Sequence, residues 1–182
     1  MRSEDEARFR DMARRQAAPM RRFAYLLCGD WHLAEDLVQN ALTKLYSAWW
    51  RIRGADTLDH YVRKTVVRCW LDEVRRPWRR AEDRTGVVPD VADHDGDPAA
   101  VGQRAQTRDL VLRALAEVPS RQRAVLVLRY FEDLSVADTA AALGCSQGTV
   151  KSQSARGLDK MRAVIARSGP DFSALTGGRT ES

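Results

Sequence analysis

The chain is poor in the residues that build metal-held or covalently stapled scaffolds. Its three cysteines, Cys28, Cys69 and Cys145, stand far apart, and no Cys-x-x-Cys or mixed Cys/His cluster occurs. A zinc site is therefore not expected, and an odd count with no secretory leader points to a reducing compartment. Histidine is equally scarce. His32, His60 and His94 fall in three different segments, none at a ligand or triad spacing. The adjacent Asp72-Glu73 reads as a capping or surface pair rather than an acid/base dyad. No enzyme, cofactor or metal is expected from these residues, and no small-molecule substrate. No apolar run approaches the ~18–20 residues that span a bilayer. The first eight residues are charged where a signal peptide is apolar. A cytoplasmic protein with no membrane insertion is expected, and no internal repeat is visible.

What is abundant is charge. Charged side chains make up 30 % of the 182 residues, the net charge is +5 and the sequence pI is about 9.4. Its distribution says more than its sum. Residues 1–80 hold 17 Lys/Arg against 11 Asp/Glu, net +6. Residues 81–106 are net −4, and residues 107–182 are net +3. Two basic segments around an acidic one suggest two polyanion-binding lobes and a linker.

Strong helix formers dominate both basic segments, and period-2 alternation is rare. The expected fold is all-α, with two small helical domains joined by a flexible linker. A first helix is predicted over about Glu4 to Cys28, ended by Gly29-Asp30. A second runs from Trp31 to Arg53, with Leu33, Leu37, Ala41, Leu45 and Ala48 forming one apolar stripe. Gly54 to His60 reads as a loop, and a third helix runs from about Leu58 to Arg76, stopped by Pro77. These make the first domain, 1–80. Residues 81–100 hold Gly86, Pro89, Gly96, Pro98 and five Asp with no periodic apolar face, and read as the linker. Asp93 to Asp97 fails as a calcium loop, because Gly96 comes too soon and no Glu closes it. The second domain, 101–167, is predicted as helices over 101–117, 121–131, 135–143 and 147–166, with Ser120 capping the second. The tail, 168–182, is expected to be disordered.

The segment Ser135-Val-Ala-Asp-Thr-Ala-Ala-Ala-Leu-Gly-Cys-Ser-Gln-Gly-Thr-Val150 reads as a helix-turn-helix. Ala140 sits where the helices cross, Gly144 ends the first with a left-handed residue, and Ser146 caps the second. Val150, Gly157-Leu158, Met161 and Ile165 recur on one buried face. Gln147, Lys151, Ser152, Ala155 and Arg156 are left outward, where recognition helices meet base edges and phosphates. A solvated helical hairpin has the same composition, but the cap, the basic outer face and the preceding helices favour DNA binding.

These motifs resemble a known family. Val118 to Val136 and Gly148-Thr-Val-Lys-Ser152 look like the promoter-reading C-terminal region of bacterial RNA polymerase sigma factors. Ala34-Glu-Asp-Leu-Val-Gln39 looks like their polymerase-binding helix. The two-lobe layout resembles the extracytoplasmic-function subfamily. The resemblance implies that Glu35, Asp36 and Gln39 meet the β′ clamp helices of core polymerase, with the β subunit as a further contact. It implies that Trp49, Trp50 and Tyr61 stack on melted bases of the minus-10 element while Arg63, Lys64 and Arg68 hold its backbone. At least one Trp is expected in the core. It assigns Gln147, Lys151, Ser152 and Arg156 to the minus-35 element. Arg75-Arg-Pro-Trp-Arg-Arg80 is expected to touch phosphate, and the acidic stretch Asp90–Asp97 to thread among basic channel residues of the polymerase. An anti-sigma protein is implied as a further partner. The third helix departs from the family in having Val67 before Arg68, and the recognition helix in having Gln153 and Ala155. A stand-alone helix-turn-helix regulator, binding duplex DNA by itself, is the competing expectation.

Overall fold

The computed structural model describes residues 3–52, 58–76 and 98–167. The expected linker up to residue 97, most of the loop after the second helix, and the tail lie outside these residues.

Three long helices make the first lobe: α1 (Ser3–Cys28), α2 (Trp31–Ile52) and α3 (Leu58–Arg75). Glu4, Asp5 and Glu6 in the first turn of α1 oppose the positive end of its dipole. Gly29 takes φ +72, and its amide closes the helix by donating to the Tyr25 carbonyl at 2.7 Å. Asp30 then caps α2, its carboxylate accepting the Leu33 amide at 2.7 Å. The whole predicted stripe of α2 is buried, joined by Ala34, Val38, Trp49 and Ile52. Val62, Val66, Val67 and Trp70 of α3 close the core against it. Pro19 lies inside α1, where it removes one rung of the ladder, the bond its N–H would make to the Arg15 carbonyl.

The second lobe is α4 (Pro98–Ala116), α5 (Ser120–Leu126), a π-helical turn (Val127–Phe131), α6 (Val136–Leu143) and α7 (Gln147–Arg167). α4 starts earlier than expected because Pro98 suits a first helical position, where no N–H is needed. The expected Ser120 cap is not formed. Pro119, held at φ −54 and ψ 142, takes the capping position, so Ser120 is already helical and no side-chain cap hydrogen bond forms. The predicted straight helix to Phe131 instead widens into the π turn, closed by the Glu132 amide on the Val127 carbonyl at 3.1 Å. Ala124 to Leu128 are five consecutive buried residues, so this helix is surrounded on all sides.

The surroundings include the first lobe. One hydrophobic core runs through Leu27, Trp70, Val118 and Leu126, drawn from both lobes. α6 and α5 pack on α3, and α4 and α5 touch α1. Arg123 of α5 reaches across to α1, donating to the Leu27 carbonyl at 2.9 Å, and also to Val118 at 3.1 Å. Its guanidinium lies 5.7 Å over the Trp70 ring. The Leu27 carbonyl is one of the four that α1 leaves without an internal partner, so α1 is capped by the other lobe. Arg63 of α3 pairs with Glu132, just past the π turn. The two lobes expected from sequence are docked on each other.

Candidate nucleic-acid interface

The helix-turn-helix is built by close approach. Thr139, Ala140 and Ala142 are the buried residues of α6, and Ala140 packs with Val125 and Val150. Gly144 ends α6 at φ 64, with the Cys145 amide returning to the Ala140 carbonyl at 3.0 Å. Ser146 caps α7 by accepting the Thr149 amide at 3.1 Å. Ser135 caps α6 in the same way, accepting the Asp138 amide at 3.0 Å while its hydroxyl donates to the Asp138 carboxylate. Where α7 crosses α5 a Cβ on Gly157 would stand 2.9 Å from Leu126 Cδ1 and 3.1 Å from its Cγ. Only glycine permits that spacing.

Burial divides α7 as the sequence pattern requires. Val150 and Gly157 are buried, Leu158, Met161 and Ile165 are half-buried, and Val164, which the pattern had not singled out, is buried with them. Gln147, Lys151, Ser152, Ala155 and Arg156 are all exposed. Among the described residues neither Lys151 nor Arg156 pairs with a carboxylate. Two uncommitted cations therefore stand on the outer face of a helix held rigidly from behind.

The aromatic candidates separate. Trp49 is 2 % exposed, its ring edge-on to Phe9 with centroids 5.3 Å apart. It is core, and the expectation that it stacks on bases is withdrawn: no face of its ring is open. Trp50, its neighbour in sequence, is 68 % exposed, with the Arg51 guanidinium 5.5 Å from its ring centre. Tyr61 is half-buried. On α3, Arg68 is exposed and Lys64 half-buried, whereas Arg63 is engaged by Glu132.

On α2, Glu35, Asp36 and Gln39 are exposed. Glu35 pairs with Arg21 of α1 at 3.2 Å. Asp36 has no cationic partner among the described residues. Asp36 and Gln39 open onto a groove of about 300 Å³ between α2 and the end of α3, lined also by Leu33, Leu37, Asn40, Glu73 and Arg76. Glu73 is 8 % exposed and pairs with Arg76 at 3.1 Å. Sequence reasoning missed Asn40, read Glu73 as a capping or surface residue although it is buried, and gave Arg76 only a phosphate contact. They stand far from the helix motif in sequence or outside its pattern, and only the packing of α3 on α2 brings them there.

Comparison with known proteins fits this geometry. Residues 12–80 match the family described as Sigma-70 region 2, and residues 108–161 match Sigma-70, region 4. The chain is 33 % identical over 167 residues to the RNA polymerase sigma-E factor of Streptomyces coelicolor, covering 92 % of this chain and 91 % of that protein. It is 31 % identical over 163 residues to the ECF RNA polymerase sigma factor SigM of Mycobacterium tuberculosis, covering 90 % and 78 %. The fold resembles that of the sigma factor RpoE solved with the anti-sigma factor NepR from Bartonella quintana. The TM-score is 0.65 at 23 % identity, covering 87 % of this chain and 96 % of that one.

Proposed function

Because the chain belongs to the extracytoplasmic-function subfamily of RNA polymerase sigma factors, it binds core polymerase and directs promoter-specific initiation, and we propose how its residues divide that work. Membership sets aside the stand-alone regulator, and the family acts by directing an enzyme rather than as one. In our reading the first lobe, residues 1–80, grips polymerase and handles the minus-10 element, and residues 101–167 read the minus-35 element. Asp36 and Gln39 meet cationic side chains of the β′ clamp helices, charge-assisted on the Asp36 side. Trp50 and Tyr61 receive unstacked bases at ~1–3 kcal/mol each, and Lys64 and Arg68 follow the backbone. Gln147, Lys151, Ser152 and Arg156 face the minus-35 duplex. The observation that carries this reading is the uncommitted, exposed pair Lys151 and Arg156 on a capped helix whose opposite face is buried.

An anti-sigma protein belongs to the same proposal, since the structural relative was solved bound to one. The cytoplasm, where polymerase works, is the proposed location. Among the described residues no helix is long and apolar enough to cross a membrane.

Two measurements test the residue roles. Asp36→Arg should abolish association with core polymerase while circular dichroism stays unchanged, and retained association removes the clamp assignment. Arg156→Ala should weaken binding to minus-35 DNA by ~1–3 kcal/mol if it reads a base, so unchanged affinity argues against that role.

A further inference from the structure

The groove beside Asp36 is built from two helices, and only one of them carries the polymerase-binding motif. Asp36, Gln39 and Asn40 stand on α2, whereas Glu73 and Arg76 come from the end of α3. Leu33 and Leu37, both buried, give the groove an apolar wall. At about 300 Å³ it lies at the small end of ligand sites, so it admits one long side chain rather than a helix.

Glu73 is the unusual member of this lining. A carboxylate that is 8 % exposed is costly unless cations and donors surround it. Arg76 pairs with it at 3.1 Å, but the Arg76 side chain is 54 % exposed, so water screens the pair from the arginine side. Two carboxylates, Asp36 and Glu73, against the one guanidinium of Arg76 leave the groove with an unbalanced negative charge. An incoming cation gains more from Glu73 than from exposed Asp36, because the low dielectric around a buried group weakens screening.

We propose that this groove receives a single arginine side chain from the polymerase clamp helices, with buried Glu73 as its inner acceptor and exposed Asp36 as its outer one. The proposal rests on the reading of Asp36 as a clamp contact, and it adds the end of α3 to that interface. Leu33 and Leu37 receive the methylenes, and the carboxamide oxygens of Gln39 and Asn40 are further acceptors. A guanidinium, with five donors in a rigid fork, matches acceptors spread over two helices; an ammonium is a compact point charge. The inserted side chain ties α3 to α2, so the enzyme steadies the helix that carries Lys64 and Arg68 by gripping its neighbour.

The test uses the full chain, fluorescently labelled at its N-terminus and titrated with core polymerase. Glu73→Gln keeps the shape and removes the charge, and it should weaken binding about tenfold. Asp36→Asn should also weaken it, and the double variant should lose less than the product of the two losses, because both carboxylates act on one guanidinium. Losses that simply multiply would mean separate contacts and overturn the proposal. Unchanged affinity in Glu73→Gln, while Asp36→Arg abolishes binding, overturns it and leaves the clamp assignment standing; retained binding in both removes that assignment too. Arg76→Gln separates docking from mere support of α3. It breaks the same internal pair yet makes the groove more negative, so binding should tighten by about threefold. A loss matching that of Glu73→Gln would mean that the pair only holds α3 in place, which overturns the proposal. Finally, arginine amide should compete with polymerase for the wild-type chain better than lysine amide at the same ionic strength, and equal competition overturns the choice of arginine.

Discussion

The first lobe is packed around aromatic side chains, whereas the helix-turn-helix of the second closes over small ones. In the first, Trp70, Trp49, Phe23 and Leu27 fill the space between three long helices. In the second, Ala140 and Ala142 let α6 sit close to its neighbours, and Gly157 lets α7 close onto the Leu126 side chain of α5. The difference suits what each presents. The first lobe offers a groove and an exposed aromatic, which need wide helix spacing. The second offers one rigid helix, which needs close support. It follows that removing volume should break the first lobe and adding volume should break the second.

The largest effect expected is for Trp70→Ala. Emptying a site that is 1 % exposed should destabilise the protein by ~3–5 kcal/mol in chemical denaturation. Because Trp70 also lies beneath Arg123 in a core shared by both lobes, the loss should appear in one transition; two separate transitions would show that the lobes fold apart. Next comes Gly157→Ala. Leu126 is 1 % exposed and has no room to retreat, so the added methyl should destabilise by ~1–3 kcal/mol despite the better helix propensity of alanine. Gly148→Ala, on the same helix but with its nearest neighbour 3.7 Å away, should instead stabilise by up to ~1 kcal/mol. Matching signs for the two would undo the contrast.

The smallest effect expected is a pH dependence of the first lobe. Burial pushes the Cys69 thiol above its ordinary value of 9.0, with Lys44 pulling the other way. Burial likewise raises Tyr25 above 10.0, opposed by Arg108. In both cases the folded state holds its proton more tightly than the unfolded chain. Their contribution is complete below pH 9 and is lost as the pH climbs through the folded values. Unfolding midpoints should therefore fall above pH 9, and Cys69→Ala should flatten the first part of that fall.

Much of this was legible in the sequence, and what was legible was local. The α2 stripe, the Gly29 and Gly144 helix ends, the Ser146 cap and the outward face of α7 all follow from spacings within one helix and its flanks. What the sequence hid depends on distant residues. Trp49 is an exception, since it continues the i+4 run of Leu37, Ala41 and Leu45 that Trp50 leaves, a local signal that the reading of both as base-stacking residues passed over. The groove needs α3 beside α2. The reach of Arg123 to Leu27 spans 96 positions and has no short-range signal. Ser120 failed as a cap because the stiff proline before it had already taken the place.

Pro19 carries a consequence for the timescales of α1. A helix with a missing rung no longer melts as one cooperative unit. The stretch before Pro19 keeps its order by leaning Phe9 and Met12 on the core, Phe9 edge-on to Tyr46 and Trp49. The stretch after it is locked by Phe23, Leu27 and the guanidinium from the other lobe. Amide protons ahead of the proline should exchange with solvent sooner than those behind it, so α1 behaves as a soft arm joined to a hard one.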